Sequence, residues 1–301
     1  MDKKYKMLLE DKIEYEGKIL YRIKALKDFR DITGSIIIAG DIGGYIESEK
    51  NLSHNGSCWV YEDAKVYGNA KVYGNAEVYG NAEVYGYARV YGEAEVYGNA
   101  RVYGNARVYG EAVVSGHSEI YGNAKVYHSV IVFGNAQVYG LAKVYNNAEV
   151  YGDAKVFGRS EIYGNAKVYH SVIVFGYARV YGLAKVCGNA WIYGNSKVCG
   201  GAEVYGSASV YDDAYVYEGV IVGKVSTPYK NIFQYQCRHR MLTAILTEDD
   251  EILYTLGCQE NITKEKFIDR IYNDDGGLEE NPHREEYLKL IPAIEAYFKG
   301  E

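Results

Sequence analysis

The chain has 301 residues, with 33 Lys and Arg against 40 Asp and Glu for a formal charge of −7, and it carries 34 Tyr beside 7 Phe and 2 Trp. That length allows two or three ordinary domains, the modest acidity selects no nucleic-acid partner, and the tyrosine excess lies far from a globular average. With no eighteen-residue apolar run and no apolar stretch behind a basic N-terminal segment, neither a membrane span nor a signal peptide is expected, and the chain reads as cytoplasmic. Cys58, Cys187, Cys199, Cys237 and Cys258 form no CxxC pair and no Cys/His cluster, which argues against a disulfide framework and predicts no metal site.

In chain order, residues 1–41 contain EYEGKILYRI, which reads as a β-hairpin turning at Glu16-Gly17 and serving as an N-terminal cap. The segment GGYIESEKNLSHNGSCWVYEDA, 43–64, leads into a repeat, with Ile46, Leu52 and Cys58 expected in the phase of its small residues. From 60 to 222 every sixth residue, 28 in all, is Val or Ile with no insertion. Two residues before each, from 64 to 220, stands Ala at 21 of 27 positions, otherwise Ser118, Val130, Ser160, Val172, Ser196 or Val220. Residues i and i+2 of a strand share a face, so AKVY is a four-residue strand with Ala and Val inside and Lys and Tyr outside. The following GN turns the corner, since Gly adopts positive φ freely and Asn better than most residues.

So short a strand buries its face only by stacking on its neighbours. The hexads, an aliphatic residue followed four later by a small one, resemble the hexapeptide-repeat family. That resemblance implies a left-handed parallel β-helix in which three hexads make a triangular coil of eighteen residues. The fold class is then mainly β, a solenoid of about nine to ten coils spanning 42–223 between the cap and a small C-terminal α+β domain, 224–301. Over roughly 20–223 the chain is similar to the YdcK-like branch of that family, whose members are labelled transferases and occur in phages and prophages. In the tail, NIFQYQCRHRMLTAIL and EILYTLGC suggest strands and TKEKFIDRIYN a helix. A second helix is expected from Asn281-Pro282, with Tyr287, Ile291, Ile294 and Phe298 as its apolar face and a kink at Pro292. Both flanks read as caps over open strand edges, or the tail as the recognition module.

Eighteen residues per coil stack the outward residues in columns. The first face reads Lys65, Glu83, Arg101, Glu119, Gln137, Lys155, Ile173, Trp191, Ser209; the third reads Trp59, Glu77, Glu95, Val113, Ile131, Glu149, Lys167, Lys185, Glu203, Ile221. The second is basic: Lys71, Arg89, Arg107, Lys125, Lys143, Glu161, Arg179, Lys197, Tyr215, beside Tyr73, Tyr91, Tyr109, Tyr127, Tyr145, Tyr163 and Tyr181. Like charges one strand spacing apart repel by roughly 0.9 kcal/mol per pair even in water, which an anionic partner relieves, and Tyr faces beside Arg suit stacking on bases. Alternatively the cations lie over the rings and keep the aromatic surface soluble, or unlike faces pair in a homo-oligomer, a dimer or trimer.

Many hexapeptide proteins are trimeric acyltransferases that use acyl-CoA and a His at an inter-subunit cleft, so that resemblance implies a rival reading. The coil histidines are His117, His128 and His170; His54, His239 and His283 lie in the flanks. The string SEIYGNAKVYHSVIVFG occurs at 118–134 and again at 160–176, 42 residues or seven hexads on. Seven is not a multiple of three, so His128 and His170 fall on different corners, where a shared catalytic geometry is not kept. Both read as Gly substitutes at a turn. The expectation is a non-catalytic binding or scaffold protein without a cofactor. It presents its basic tyrosine face or its tail to a host protein or an anionic nucleotide-type ligand, without sequence-specific DNA binding.

Overall fold

The computed structural model describes residues 3–211, 214–217, 220–222, 232–237, 240–246, 251–256, 259–273 and 284–299. The chain forms two compact units, 1–169 and 170–301.

In the first unit, strands Tyr5–Tyr15 and Lys18–Ala25 pair antiparallel. They turn at Glu16 and Gly17, whose φ values of 51° and 70° give the two positive-φ residues of a tight hairpin. The second strand pairs antiparallel with Ile42–Ile46, which pairs parallel with Lys65–Val66. The hairpin therefore covers an open edge of the first solenoid face. Beyond it the chain winds as a parallel β-solenoid. Glu83 lies opposite Arg101, Arg89 opposite Arg107 and Glu95 opposite Val113, so each turn takes eighteen residues and builds three sheets.

The interior is the repeat itself. Ala106 and Val108, Ala112 and Val114, Ser118 and Ile120 are fully buried on three successive faces. Enclosing a Val side chain stabilises by about 1.5–3 kcal/mol relative to exposure, a gain each turn makes on every face. Most strands are two residues long rather than four, as at Lys65–Val66, while several on the second face reach four, as at Arg89–Gly92. The backbone ladder runs past these short strands: Lys65 N donates to Ala82 O at 2.9 Å and Tyr67 N to Val84 O at 3.0 Å.

In the described solenoid turns positive φ falls on the first corner residue. At Gly92, φ is 77° and a Cβ would stand 2.8 Å from Gly110 N, so the stacked corners leave space for hydrogen and little more. His128 at 63°, Asn146 at 65° and His170 at 61° take the same conformation, which makes them stand-ins for Gly. The Asn that follows Gly does not share it; its N–H instead bonds the next turn, as Asn75 N does to Gly92 O at 2.8 Å.

The entry to the solenoid departs from the expected phase. Ile46 stacks on Val66 and Leu52 on Val72, so both stand in the Val column and only Cys58 lies in the small-residue column. The cause is an insertion: Leu52 to Val60 spans eight residues where later steps span six.

The second unit begins with three turns, whose strands include Ile173–Val174, Arg179–Val180 and Lys185–Val186. Arg179 lies opposite Lys197, and Lys197 opposite Tyr215. In the last turn Glu203 lies opposite Val220 rather than Ile221. The third column therefore slips by one residue, where the preceding sequence reads Glu218-Gly219 in place of Gly-Asn. A four-stranded antiparallel sheet follows, Ile232–Cys237, Arg240–Leu246, Ile252–Leu256 and Gln259–Thr263. Helices α1 (Lys264–Tyr272) and α2 (Arg284–Lys299) cover it. Thr263 caps α1 by accepting from Lys266 N, and Phe267 and Ile271 bury its apolar side. Tyr287, Ile291 and Ile294 of α2 join them in one core with Leu242 and Tyr254, and Phe298 packs at its edge. Pro292 lies within α2, and the expected start at Asn281-Pro282 falls outside the described residues.

Candidate functional site

In the first unit the second face aligns Lys71, Arg89, Arg107, Lys125 and Lys143 one turn apart. Tyr73, Tyr91, Tyr109, Tyr127, Tyr145 and Tyr163 form the adjoining column, with ring centroids 4.7–5.1 Å apart and planes within 5°. Lys71, Arg89 and Arg107 are exposed. In the second unit Arg179 and Lys197 stack, and Lys197 Nζ lies 5.9 Å from the Tyr215 ring centre. A hydrogen bond to Cys199 leads the causes that raise the Tyr181 pKa.

The stacking alters what the tyrosines offer. Inside the column each ring face is covered by the next ring, so bases find ring edges there and a free face only at an end of the column. For the same reason none of Lys71, Arg89, Arg107 and Lys125 lies over a ring among the described residues; pairs such as Arg22 over Tyr45 at 4.3 Å and Lys65 over Tyr15 at 4.9 Å belong to the cap.

The other two faces show what the basic one lacks. On the first, Arg101 lies 3.9 Å from both Glu83 and Glu119, and on the third, Lys167 pairs with Glu149 at 2.8 Å. Glutamates there also take tyrosine hydroxyls from sixteen residues earlier: Tyr67 donates to Glu83 at 3.0 Å, Tyr79 to Glu95 at 2.7 Å and Tyr103 to Glu119 at 3.3 Å. On the second face the residue sixteen after Tyr73, Tyr91, Tyr109 and Tyr127 is in each case a cation. Among the described residues Lys71, Arg89, Arg107 and Lys125 form no ion pair, and those four hydroxyls donate to no side chain. The pattern breaks at Glu161, which Lys143 reaches at 2.8 Å and Tyr145 at 3.5 Å. Burial in the stack raises the pKa of Tyr91, Tyr109 and Tyr127, so the phenols remain donors. The signal for this pairing in the sequence is a Glu sixteen residues after a Tyr, a spacing that links adjacent turns rather than neighbours in one strand.

The second face also opens, at its N-terminal end, into a cavity of about 420 Å³ that Lys71, Tyr73 and Arg89 line. His54 stands in its wall, stacked on Tyr5 at 4.3 Å, with its Nδ1 accepting from Lys4 N at 3.3 Å. Burial lowers the His54 pKa. Beside it Lys4 is buried and donates to Cys58 O at 2.7 Å and to Cys58 Sγ at 3.3 Å.

The coil histidines are dispersed. His117, His128 and His170 are all exposed at corners, and His128 Nδ1 meets Asn146 Oδ1 at 3.0 Å. His239, His283 and Cys258 lie outside the described residues, as does the side chain of Cys237, and Cys58, Cys187 and Cys199 are free thiols. Among the described residues no group of three or more His, Cys, Asp or Glu side chains is placed to hold a metal, and no helix is long and apolar enough to cross a membrane.

No curated protein matches the chain. Residues 94–110 and 100–116 match the family model described as YdcK beta solenoid repeat. The match falls on turns whose parallel, eighteen-residue stacking has been described above, and with that architecture it sets the chain among the β-helix proteins.

Proposed function

We propose that this chain is a non-catalytic binding protein whose second solenoid face takes an anionic partner. The observation that carries this reading is that, among the described residues, four successive cations on one face have no carboxylate partner, beside four tyrosine hydroxyls with no side-chain acceptor. Anionic oxygens supply both needs, since a phosphate or carboxylate accepts charge-assisted bonds from Lys and Arg and a further bond from a phenol. The five cations span about 20 Å at one strand spacing per turn, a length suited to an extended or multiply charged partner. In this reading the chain belongs to the YdcK-like branch of hexapeptide proteins, is encoded by a phage or prophage, and binds rather than transfers. Its partner is a host protein with an acidic surface or a nucleotide-type ligand.

The test is fluorescence anisotropy of a labelled polyphosphate chain against the full-length protein over a salt series. Arg107→Glu with Lys125→Glu is expected to weaken binding by about ten-fold or more and to flatten the salt dependence. Changing His117, His128 and His170 together to Ala should leave it unchanged. Equal binding by the charge-reversed variant overturns the reading, and saturable binding of coenzyme A that depends on those histidines would replace it with acyl transfer.

A further inference from the structure

Toward the N-terminus the second-face ring column stops short. Tyr91 covers one side of Tyr73 at 4.7 Å and 4°. On the other side the parallel bridge of Leu52 to Val72 brings in Ser53, whose N–H donates to Val72 O at 2.9 Å. A serine thus occupies the place where the stack calls for another ring. The two residues inserted between Leu52 and Val60 fall at this corner, and the 420 Å³ cavity opens there. That volume is within the range of small-ligand sites, about 300–1,000 Å³.

The cavity is cationic. Lys50, Lys71 and Arg89 line it, and the lining carboxylate, Glu49, is engaged by Lys3 Nζ at 2.7 Å. Its wall is set by His54, held between Tyr5 and the Lys4 backbone. One aromatic surface at the end of a stack and cations beside it suit a flat ring that bears phosphate.

We propose that this cavity binds a nucleotide, its base stacking on Tyr73 in the space Ser53 leaves and its phosphates held by Lys71 and Arg89. The inference rests on the second face being the binding face, and gives that face a defined small-molecule end. A nucleotide base would extend a column the protein has already built, and aromatic stacking of this kind accepts any base.

The experiment titrates the full chain with mant-labelled ADP and displaces it with ADP, adenosine or pyrophosphate. Saturable binding is expected, with ADP displacing at least about ten-fold better than either fragment, because base and phosphate are held together. Ser53→Tyr completes the column and should lower affinity by about ten-fold or more. Lys71→Gln leaves the cavity open and should lower it by about ten-fold, which keeps the test sound if Ser53→Tyr disturbs the fold. Lys167→Gln, on the third face and outside the cavity, should leave mant-ADP binding intact. No saturable signal up to about 1 mM, displacement by pyrophosphate as effective as by ADP, or unchanged affinity in both Ser53→Tyr and Lys71→Gln overturns the inference. Polyphosphate binding by the wild type without saturable mant-ADP binding sinks the nucleotide site and spares the anionic face; absence of polyphosphate binding by the wild type sinks the face.

Discussion

The second and third faces of the first unit enclose the same interior and present opposite exteriors. Val108 and Val96 are equally buried, yet outside them stand Arg107 between two cations and Glu95 beside Glu77. On the third face the burden of like charge is met by protonation and hydrogen bonds. Glu77 is buried, accepts from Ile32 N at 3.2 Å, and has its pKa raised to about 7, first by burial and then by Asp31 and Glu95. On the second face, among the described residues, no carboxylate meets it at Lys71, Arg89, Arg107 or Lys125. In a solenoid the inward columns decide the fold, and the outward columns are left for other tasks.

The widest break in the comparison comes from the shared interior. Val108→Ala and Val96→Ala should each destabilise by about 2–3 kcal/mol, and hydrogen exchange of the flanking turns should find the two losses alike; unequal losses would mean the faces differ inside as well.

The acidic face should be pH-sensitive where the basic one is not. A carboxyl whose folded pKa lies above its unfolded value favours folding in its protonated form. The contribution of Glu77 is therefore fully present below about pH 4.5 and is lost as pH rises to about 7. Glu77→Gln should remove that slope and stabilise the protein above pH 7 by on the order of 1–3 kcal/mol, read from unfolding curves at several pH values.

Corners give a smaller contrast. Gly92→Ala forces a Cβ toward Gly110 at positive φ and should cost about 1–2 kcal/mol, whereas His128→Gly should stabilise by about 0.5–1 kcal/mol, both by chemical denaturation.

The smallest effect is the most pointed. Arg107→Glu places an acid between Arg89 and Lys125 and should raise stability by about 0.5 kcal/mol at low salt while weakening polyphosphate binding. Arg101→Glu, which destroys the existing alternation with Glu83 and Glu119, should lower stability by a similar amount. If both substitutions move stability the same way, the unpaired cations are not a cost the face bears for a partner.

Much of the fold was legible because one period governs it. Val at every sixth residue with Ala two before fixes both the strand and its inward face, and the eighteen-residue turn follows once Arg89 must stack on Arg107. The phase of Ile46 and Leu52 was not legible, since two extra residues beside His54 reset the count and no local signal says where a coil begins. The slip at Val220 is of the same kind. The basic column was legible by residue; the covering of tyrosine faces was not, because ring orientation depends on the turns above and below. The cavity at Tyr73 arises from an absence, a Ser in a ring's place, which no motif announces.

The duplicated string at 118–134 and 160–176 has an evolutionary implication. Because all three sides share one interior grammar, inserting any whole number of hexads leaves the core intact. When that number is not divisible by three, every downstream column is carried round to a neighbouring side. A change in gene length then becomes a reassignment of surfaces, and such a protein can acquire a new charge pattern by slippage alone, without a single substitution.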